Sequence, residues 1–348
     1  MIGVVCMYQT YLWKIKPISS YMTPWQSDTI YGHLLWAAKL FFGEEEIEKT
    51  INEFEDGKAP FIVSDGFTSS IEKTREDKLE DNKELEKVAA KLPILKKTFS
   101  KREKTQELSK KYNKDTISIV KKLKEINKIK EVDIDVFNKF RGNYDNDKFI
   151  EEQMEKSVVG GKNKKYSSIS SPVMHNNINR LSGTTEDNDL YSLRENFAGE
   201  ICIYVKLKED YPVEKFEKLL SFIEMNGFGK KSSSGKGAIE RISFDKFDGF
   251  TKIDNANGFV VLSNYIPKEK DYKKIISGNT VLKIGKVANI DGNEDFPFKK
   301  PFTCFGAGSL FLNGENQFVG KVLKDIHIDK KIVQIGIPFT LEVLIDEK

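Results

Sequence analysis

Cysteine is scarce in this chain. Its 348 residues hold three, Cys6, Cys202 and Cys304, an odd number at wide spacing. Neither a disulfide framework nor a zinc-ligand spacing can be built from them, so a reducing, cytoplasmic setting is expected. Long apolar runs are missing too. The longest, Leu34 to Phe42, is interrupted by Lys39 and falls short of the roughly 20 residues that cross a bilayer. No membrane partner is expected. The N-terminal residues lack a basic stretch with a small-residue cleavage site, so no leader is expected either. Arginine is rare: Arg75, Arg102, Arg141, Arg180, Arg194 and Arg241 are the six.

A large excess of one charge is also lacking. Lys plus Arg number 56 against 53 Asp plus Glu, a net of +3. That balance does not by itself mark a nucleic-acid binder. The distribution says more. Between Lys91 and Lys130 there are 14 basic and 4 acidic residues, a local net of +10. From about Glu72 to Lys130 charged residues dominate and glycine is absent. A solvated helical surface is the ordinary reading of such a run; contact with RNA or an acidic partner is the functional one. The apolar share of 39% supplies a core for one large or two modest domains.

Glycine, by contrast, is concentrated. Gly227-Phe228-Gly229-Lys230-Lys231-Ser232-Ser233-Ser234-Gly235-Lys236-Gly237 holds four glycines, three lysines and three serines. Glycine permits φ > 0 and close backbone approach, while lysine and serine supply charge and donors, a composition that suits a phosphate chain. The flanks decide which kind. Val213, Phe216, Leu219, Leu220 and Ile223 share a helical face after Pro212, and Ala238 to Phe244 alternates as a strand. Helix, loop, strand is the reverse of a P-loop or dinucleotide fold, and the spacing misses both patterns. A nucleotide hydrolase is excluded. A flexible surface turn is the ordinary alternative for a lone glycine cluster.

Taken in order, Tyr8 to Ile18 reads as a strand. Ser27-Asp28-Thr29 caps a helix whose apolar face is Ile30, Leu34, Ala37, Ala38 and Phe41, and Gly43 ends it. Glu44 to Asp56 is an acidic helix and Phe61 to Val63 a short strand. The charged insertion follows, with Ile117, Val120, Leu123 and Ile126 at helical spacing. Val132, Ile134 and Val136 alternate as a strand. Ser157 to Ser171 reads as a hairpin with Gly160-Gly161 at its tip. Ala198 to Leu207 is a strong strand, and the glycine-loop unit follows it. Without the insertion this is βαββαβ, a ferredoxin-like or RRM-like unit. The fold class is α/β (α+β): residues 1–248 form the first domain, with the charged insertion at about 72–170, and residues 249–348 a second, β-rich ferredoxin-like domain.

Several segments together resemble the RAMP superfamily. They are Ser27 to Ala37, Ala59 to Phe67, the H-N-x-I-x-R-x-x-G-T pattern from His175 to Thr184, the glycine loop, Leu262-Ser263 with Pro267, and Lys300-Pro301 leading to Gly308-Ser309-Leu310-Phe311. Within that superfamily the set is similar to the family of fourth Csm subunits of type III-A CRISPR effector complexes. The resemblance covers nearly the whole chain apart from the insertion. It implies a non-catalytic RNA-binding subunit that caps the foot of the complex and grips the repeat-derived 5′ tag of the CRISPR RNA. The implied protein partners are the large polymerase-like Csm subunit and the backbone Csm subunit. On this resemblance the RNA-binding residues are Gly227 through Lys236, with Ser27, Thr29, His175, Asn176, Arg180 and Arg241. Lys162, Lys164, Lys165 and Tyr166 are the expected thumb. Tyr21 and Trp25 either stack bases or belong to the core.

Two rival functions stand beside it. One is a RAMP-type, metal-independent endoribonuclease that processes CRISPR precursor RNA, with His33 as its only candidate catalytic residue. A structural histidine is the ordinary reading of His33, and no second acid–base group is singled out by spacing. The other is a scaffold without RNA contact, against which the glycine loop argues. No H-D pair, GGDD-like motif or paired-carboxylate site is visible, so neither metal nor cofactor is expected.

Overall fold

The computed structural model describes residues 7–68, 70–72, 85–87, 89–91, 102–126, 129, 131–143, 146–158, 168–185, 190–287, 297–313 and 319–345. In chain order the elements are β1 (Tyr8–Pro17), α1 (Ser27–Phe42), α2 (Glu44–Glu55), β2 (Phe61–Thr68), β3 (Ser70–Glu72), β4 (Leu85–Lys87), β5 (Ala89–Lys91), α3 (Arg102–Lys111), α4 (Thr116–Ile126), β6 (Glu131–Asp133), α5 (Ile134–Gly142) and α6 (Asn146–Val158). They continue as β7 (Ser168–Asn176), β8 (Leu190–Ala198), β9 (Ile201–Lys208), α7 (Val213–Asn226), β10 (Ile239–Lys246), β11 (Gly258–Val261), β12 (Ile275–Ser277), β13 (Thr280–Lys283), β14 (Phe302–Phe305), β15 (Leu310–Leu312), β16 (Val322–Leu323), β17 (Gln334–Ile335) and β18 (Thr340–Val343). Two compact units result: Met1–Glu86 with Tyr166–Phe247, and Lys87–Lys165 with Asp248–Lys348. The charged segment from Lys87 onward is therefore grouped with the C-terminal chain, whereas the sequence alone suggested an elaboration of the first domain.

In the first unit the sheet order is β10-β1-β9-β2, with every neighbour antiparallel. Ranked along the chain, that is the 4-1-3-2 order of a ferredoxin-like βαββαβ unit. The buried stripe of α7 is Phe216, Leu219, Leu220 and Ile223. Phe216 lies 5.3 Å from the Phe61 ring of β2 and 5.5 Å from the Phe244 ring of β10. The stripe of α1 is Ile30, Tyr31, Leu34, Ala37 and Ala38. Phe41, expected on that stripe, is 43% exposed. The start of α1 also differs from expectation. Gln26 occupies the N-cap with no side-chain cap bond, and the Ser27 N–H donates to Asp65 Oδ1 of β2 at 2.8 Å. A carboxylate from a neighbouring strand thus meets the positive end of the helix.

The hairpin β7–β8 runs in register from Ser168 opposite Ala198 to Asn176 opposite Leu190. Its connection, residues 177–189, carries the polar H-N-x-I segment onward from β7. The expected tip at Gly160-Gly161, with Lys162, Lys164, Lys165 and Tyr166, lies outside the described residues.

The second unit holds a sheet ordered β12-β15-β11-β18, again antiparallel throughout. Ranked along the chain, this is 4-1-3-2 once more. Among the described residues no α-helix joins these four strands. A 3-10 turn at Glu269–Lys274 and the pairs β13–β14 and β16–β17 occupy the connections. The alternation at Val132, Ile134 and Val136 does not extend as a strand. β6 ends at Asp133, and α5 begins at once with Phe137, Phe140 and Arg141 buried. On α4 the buried residues are Ile119, Leu123 and Ile126, while Ile117 is 69% exposed. Among the described residues no helix is long and apolar enough to cross a membrane.

Candidate nucleic-acid interface

The glycine loop is held from beneath by the segment between β1 and α1. Helix α7 ends as the Gly227 N–H donates to the Ile223 carbonyl at 2.8 Å. Phe228 then turns inward and stacks on Trp25 at 3.7 Å with an interplanar angle of 10°. Tyr21 and Trp25 are both buried, so both belong to the core. The Phe228 N–H donates to the Gly237 carbonyl at 2.8 Å and closes the base of the loop. Gly237 N–H donates to the Ser20 carbonyl at 2.8 Å, Gly229 N–H to His33 Nε2 at 3.1 Å, and Lys230 N–H to Thr23 Oγ1 at 2.8 Å.

The glycines therefore answer to different demands. All four have positive φ, from 69° to 79°. A Cβ on Gly229 would sit 2.4 Å from the Thr23 Cβ, and one on Gly237 would sit 2.1 Å from the Phe228 carbonyl oxygen. Those positions are needed by the loop's own packing, not for the approach of a ligand. A Cβ on Gly235 would meet no atom within 4 Å. The crest is a 3-10 turn, Ser232–Ser234, entered through Lys231 at φ 67°. Among the described residues no acceptor of the chain meets the N–H groups of Lys231, Ser232 and Ser233. Lys230, Lys231, Ser233, Ser234 and Gly235 are exposed here. Consecutive free N–H groups beside two lysines have the chemistry of an anion cradle.

Lys236 points the other way. Its ammonium donates to Ser20 Oγ at 3.0 Å and to Glu195 Oε2 at 2.8 Å. The Lys236 hydrogen bond, followed by one from Ser20, holds the Glu195 carboxyl below the usual carboxylate range. His175 faces the same carboxylate, with Nε2 3.5 Å from Oε1. It stacks on Tyr191 with centroids 5.6 Å apart.

The remaining expected residues separate into two groups. Asn176 donates to Thr185 Oγ1 at 3.2 Å across the hairpin end, and Arg180 is exposed in the following turn. Thr29 is half-buried in the first turn of α1. Ser27 is 1% exposed, so its side chain is not presented to a ligand. Arg241 is engaged by helix α7: Nε donates to Glu224 Oε1 at 2.6 Å, Nη1 to Glu217 Oε1 and Nη2 to the Glu217 carbonyl, both at 3.2 Å. That guanidinium ties β10 to α7 and is a structural clamp. His33 is pushed by burial down to about 4 and takes the Gly229 N–H as a neutral acceptor. Among the described residues no group of three or more His, Cys, Asp or Glu side chains is placed to hold a metal ion. Sequence reasoning missed Ser20, Thr23 and Glu195. An ordinary Glu in a polar strand carries no signal of burial.

No family model and no curated protein matches this chain. Each unit holds an antiparallel sheet of ferredoxin-like strand order, and in the first the glycine loop joins α7 to β10. Across almost all of its length the chain shares the fold of Csm4 in solved structures. One is a Csm1–Csm4 cassette in complex with pppApA, at 12% identity and TM-score 0.55 over 97% of this chain and 100% of that one. Another is a Csm3–Csm4 subcomplex of the type III-A CRISPR-Cas interference complex, at 16% identity and TM-score 0.55 over 96% and 99%.

Proposed function

We propose that this chain is a Csm4-type subunit of a type III-A CRISPR effector complex, serving in antiviral defence. It binds the repeat-derived 5′ tag of the CRISPR RNA, caps the foot of the complex and performs no catalysis. Its partners are then a large, polymerase-like Csm1-type subunit and a Csm3-type backbone subunit. The observation that carries this reading is the crest of the glycine loop, where three N–H groups lack acceptors among the described residues beside exposed Lys230 and Lys231. Backbone donors and lysines recognise the phosphates of a single strand without regard to its bases. The whole-chain likeness to Csm4 solved with Csm1 and with Csm3 supports the choice of partners.

The hairpin β7–β8 suits a thumb role. Its end carries Asn176 and Arg180, and Met174 and Leu190 are exposed on one face. Apolar and amide side chains there fit a wedge against an unstacked base. The endoribonuclease alternative loses ground at His33. Its Nε2 is occupied by the Gly229 N–H, which leaves it no free nitrogen on that side for a 2′-hydroxyl.

The test is to purify the chain from its host with bound RNA and sequence that RNA. A shared repeat-derived 5′ end is expected. A heterogeneous RNA population overturns tag binding. Incubation with repeat RNA, with and without divalent metal, should give no site-specific product. Cleavage abolished by His33→Ala would replace this reading with the processing enzyme.

A further inference from the structure

We propose that Glu195 is a positioning residue that ties hairpin β7–β8 to the glycine loop, so that a phosphate held at the loop's crest also fixes the hairpin. The inference rests on the RNA-binding reading above. Each strand of the hairpin has nine residues, and Glu195 is the only one of either strand that is buried. A two-stranded ribbon solvated on both faces is marginal by itself. Its anchor would ordinarily be apolar. Here it is a carboxylate, and a carboxylate is directional.

The geometry converges on Ser20. Its hydroxyl donates to Glu195 Oε2 at 2.6 Å and accepts from Lys236 Nζ at 3.0 Å. Its carbonyl accepts the Gly237 N–H at 2.8 Å. Lys236 closes the triangle on the same Glu195 oxygen at 2.8 Å. One residue later, Tyr21 exchanges backbone hydrogen bonds with Asn196 at 3.0 and 2.8 Å. The second carboxylate oxygen faces His175 Nε2 from the opposite strand at 3.5 Å. Glu195 thus touches both strands of the hairpin, the loop and the segment beneath the loop.

Two physical consequences follow. The pair is stiff on the Glu195 side, where the carboxylate is 3% exposed and removing Lys236 strands an uncompensated buried charge. The pairing also pins the hairpin, since a slip by one residue would turn Glu195 to the solvated face. Lys236 then acts as the counter-charge of this link, and Lys230 and Lys231 are the lysines left for phosphate. A displacement of the loop on binding an anion is carried through Lys236 and Ser20 into β8.

Hydrogen exchange of the full chain tests this, with and without a synthetic single-stranded RNA carrying the repeat-derived 5′ segment. In the parent chain the RNA should slow exchange both at residues 231–237 and along β7 and β8. In Glu195→Gln the slowing at the loop should persist while the RNA-dependent slowing in the hairpin falls by about tenfold. A purely structural role would loosen the hairpin equally with and without RNA, and that result overturns the proposal. Equal RNA-dependent slowing of the hairpin in parent and variant also overturns it. If the RNA slows neither region in the parent, the RNA-binding reading fails and this inference with it. Should Glu195→Gln not fold, the charge-balanced pair Glu195→Gln with Lys236→Gln carries the same expectation.

Discussion

At the scale of single residues, His33 shows how position overrides type. A histidine in the first helix invites a catalytic reading, yet here it braces the glycine loop. Its pKa is lowered from 6.5 to about 4 by burial. The unfolded chain takes a proton on this ring below about pH 6.5 while the folded chain does not. Stability from this site is therefore whole above that value and declines as pH falls toward 4. His33→Gln can keep an acceptor for Gly229 without titrating. Denaturant unfolding at pH 7 and at pH 5 should show the parent losing about 1–2 kcal/mol more than the variant. Parallel losses in the two proteins would mean His33 is not held neutral. The glycines divide on the same principle. Gly229→Val and Gly237→Ala meet Thr23 and the Phe228 backbone and should destabilise the fold. Gly235→Ala faces open space and carries only the left-handed backbone penalty, about 1 kcal/mol. Gly235→Val should stay folded and still weaken RNA binding, whereas Lys230→Ala and Lys231→Ala should each lower the log–log salt slope by about 0.7. A folded Gly235→Val that binds RNA as the parent does would leave the crest as a charged turn only. Composition made this loop visible. It did not show that Thr23, Ser20 and His33 occupy its underside, nor that Arg241 faces Glu217 and Glu224. Those two acids lie seven residues apart on one face of α7, so that clamp was open to inspection.

At the scale of elements, periodicity located helices and strands well where one face was strongly apolar. α1, α7 and β1 came through nearly to their ends, while the strand expected from Ala198 begins at Ile201, Ala198 being the last residue of β8. It failed where two stripes compete. On α4, both Ile117-Val120 and Ile119-Leu123-Ile126 satisfy a helical repeat, and only packing chooses the second. At Val132, Ile134 and Val136 a period of two hides Ile134, Phe137, Phe140 and Arg141 at helical spacing, so tertiary burial decides for α5 after Asp133. The tip expected at Gly160-Gly161 lies outside the described residues. The hairpin that is described, β7–β8, pairs across a connection that begins after Asn176. This register yields a prediction. Replacing residues 177–189 with Asn-Gly joins Asn176 to Leu190 through a two-residue turn that matches strand twist. The shortened hairpin should retain tag affinity within about twofold, because the phosphate cradle is untouched. Fluorescence of 2-aminopurine at the nucleotide after the tag should change, reporting loss of contact there. An unchanged signal would remove the hairpin from the RNA path.

At the scale of the whole molecule, the same strand order appears twice, once with two long helices over the sheet and once with short pairs and a 3-10 turn in their place. The first was legible because βαββαβ fixes few arrangements. The second was legible only as a run of short strands, since the order β12-β15-β11-β18 depends on pairings distant in sequence. The place of the charged segment was the least legible feature, and Arg141 explains why. It is 1% exposed in a stretch whose composition reads as surface. Its Nη1 donates to the Glu342 carbonyl of β18 at 2.7 Å, and its Nη2 donates to Asn138 Oδ1 and the Thr251 carbonyl, both at 2.8 Å. The guanidinium lies over Phe137 and Phe250, 5.4 and 6.0 Å from the ring centroids, and burial brings its pKa down to about 10. The Leu344 N–H returns to the Arg141 carbonyl at 2.9 Å. One side chain thus joins α5 to the last strand and to the chain leading into β11. Arg141→Met keeps the apolar stem and leaves the part-buried Glu342 and Thr251 carbonyls without this donor, which should cost about 1–3 kcal/mol. Arg141→Lys preserves charge but not the planar fork and should fall between. Native-state hydrogen exchange would read the result by location. Amides of β11, β15 and β18 should lose more protection than those of β1 and β9. If Arg141→Met leaves β18 protected as in the parent, then α5 is an appendage to this sheet and not a part of it.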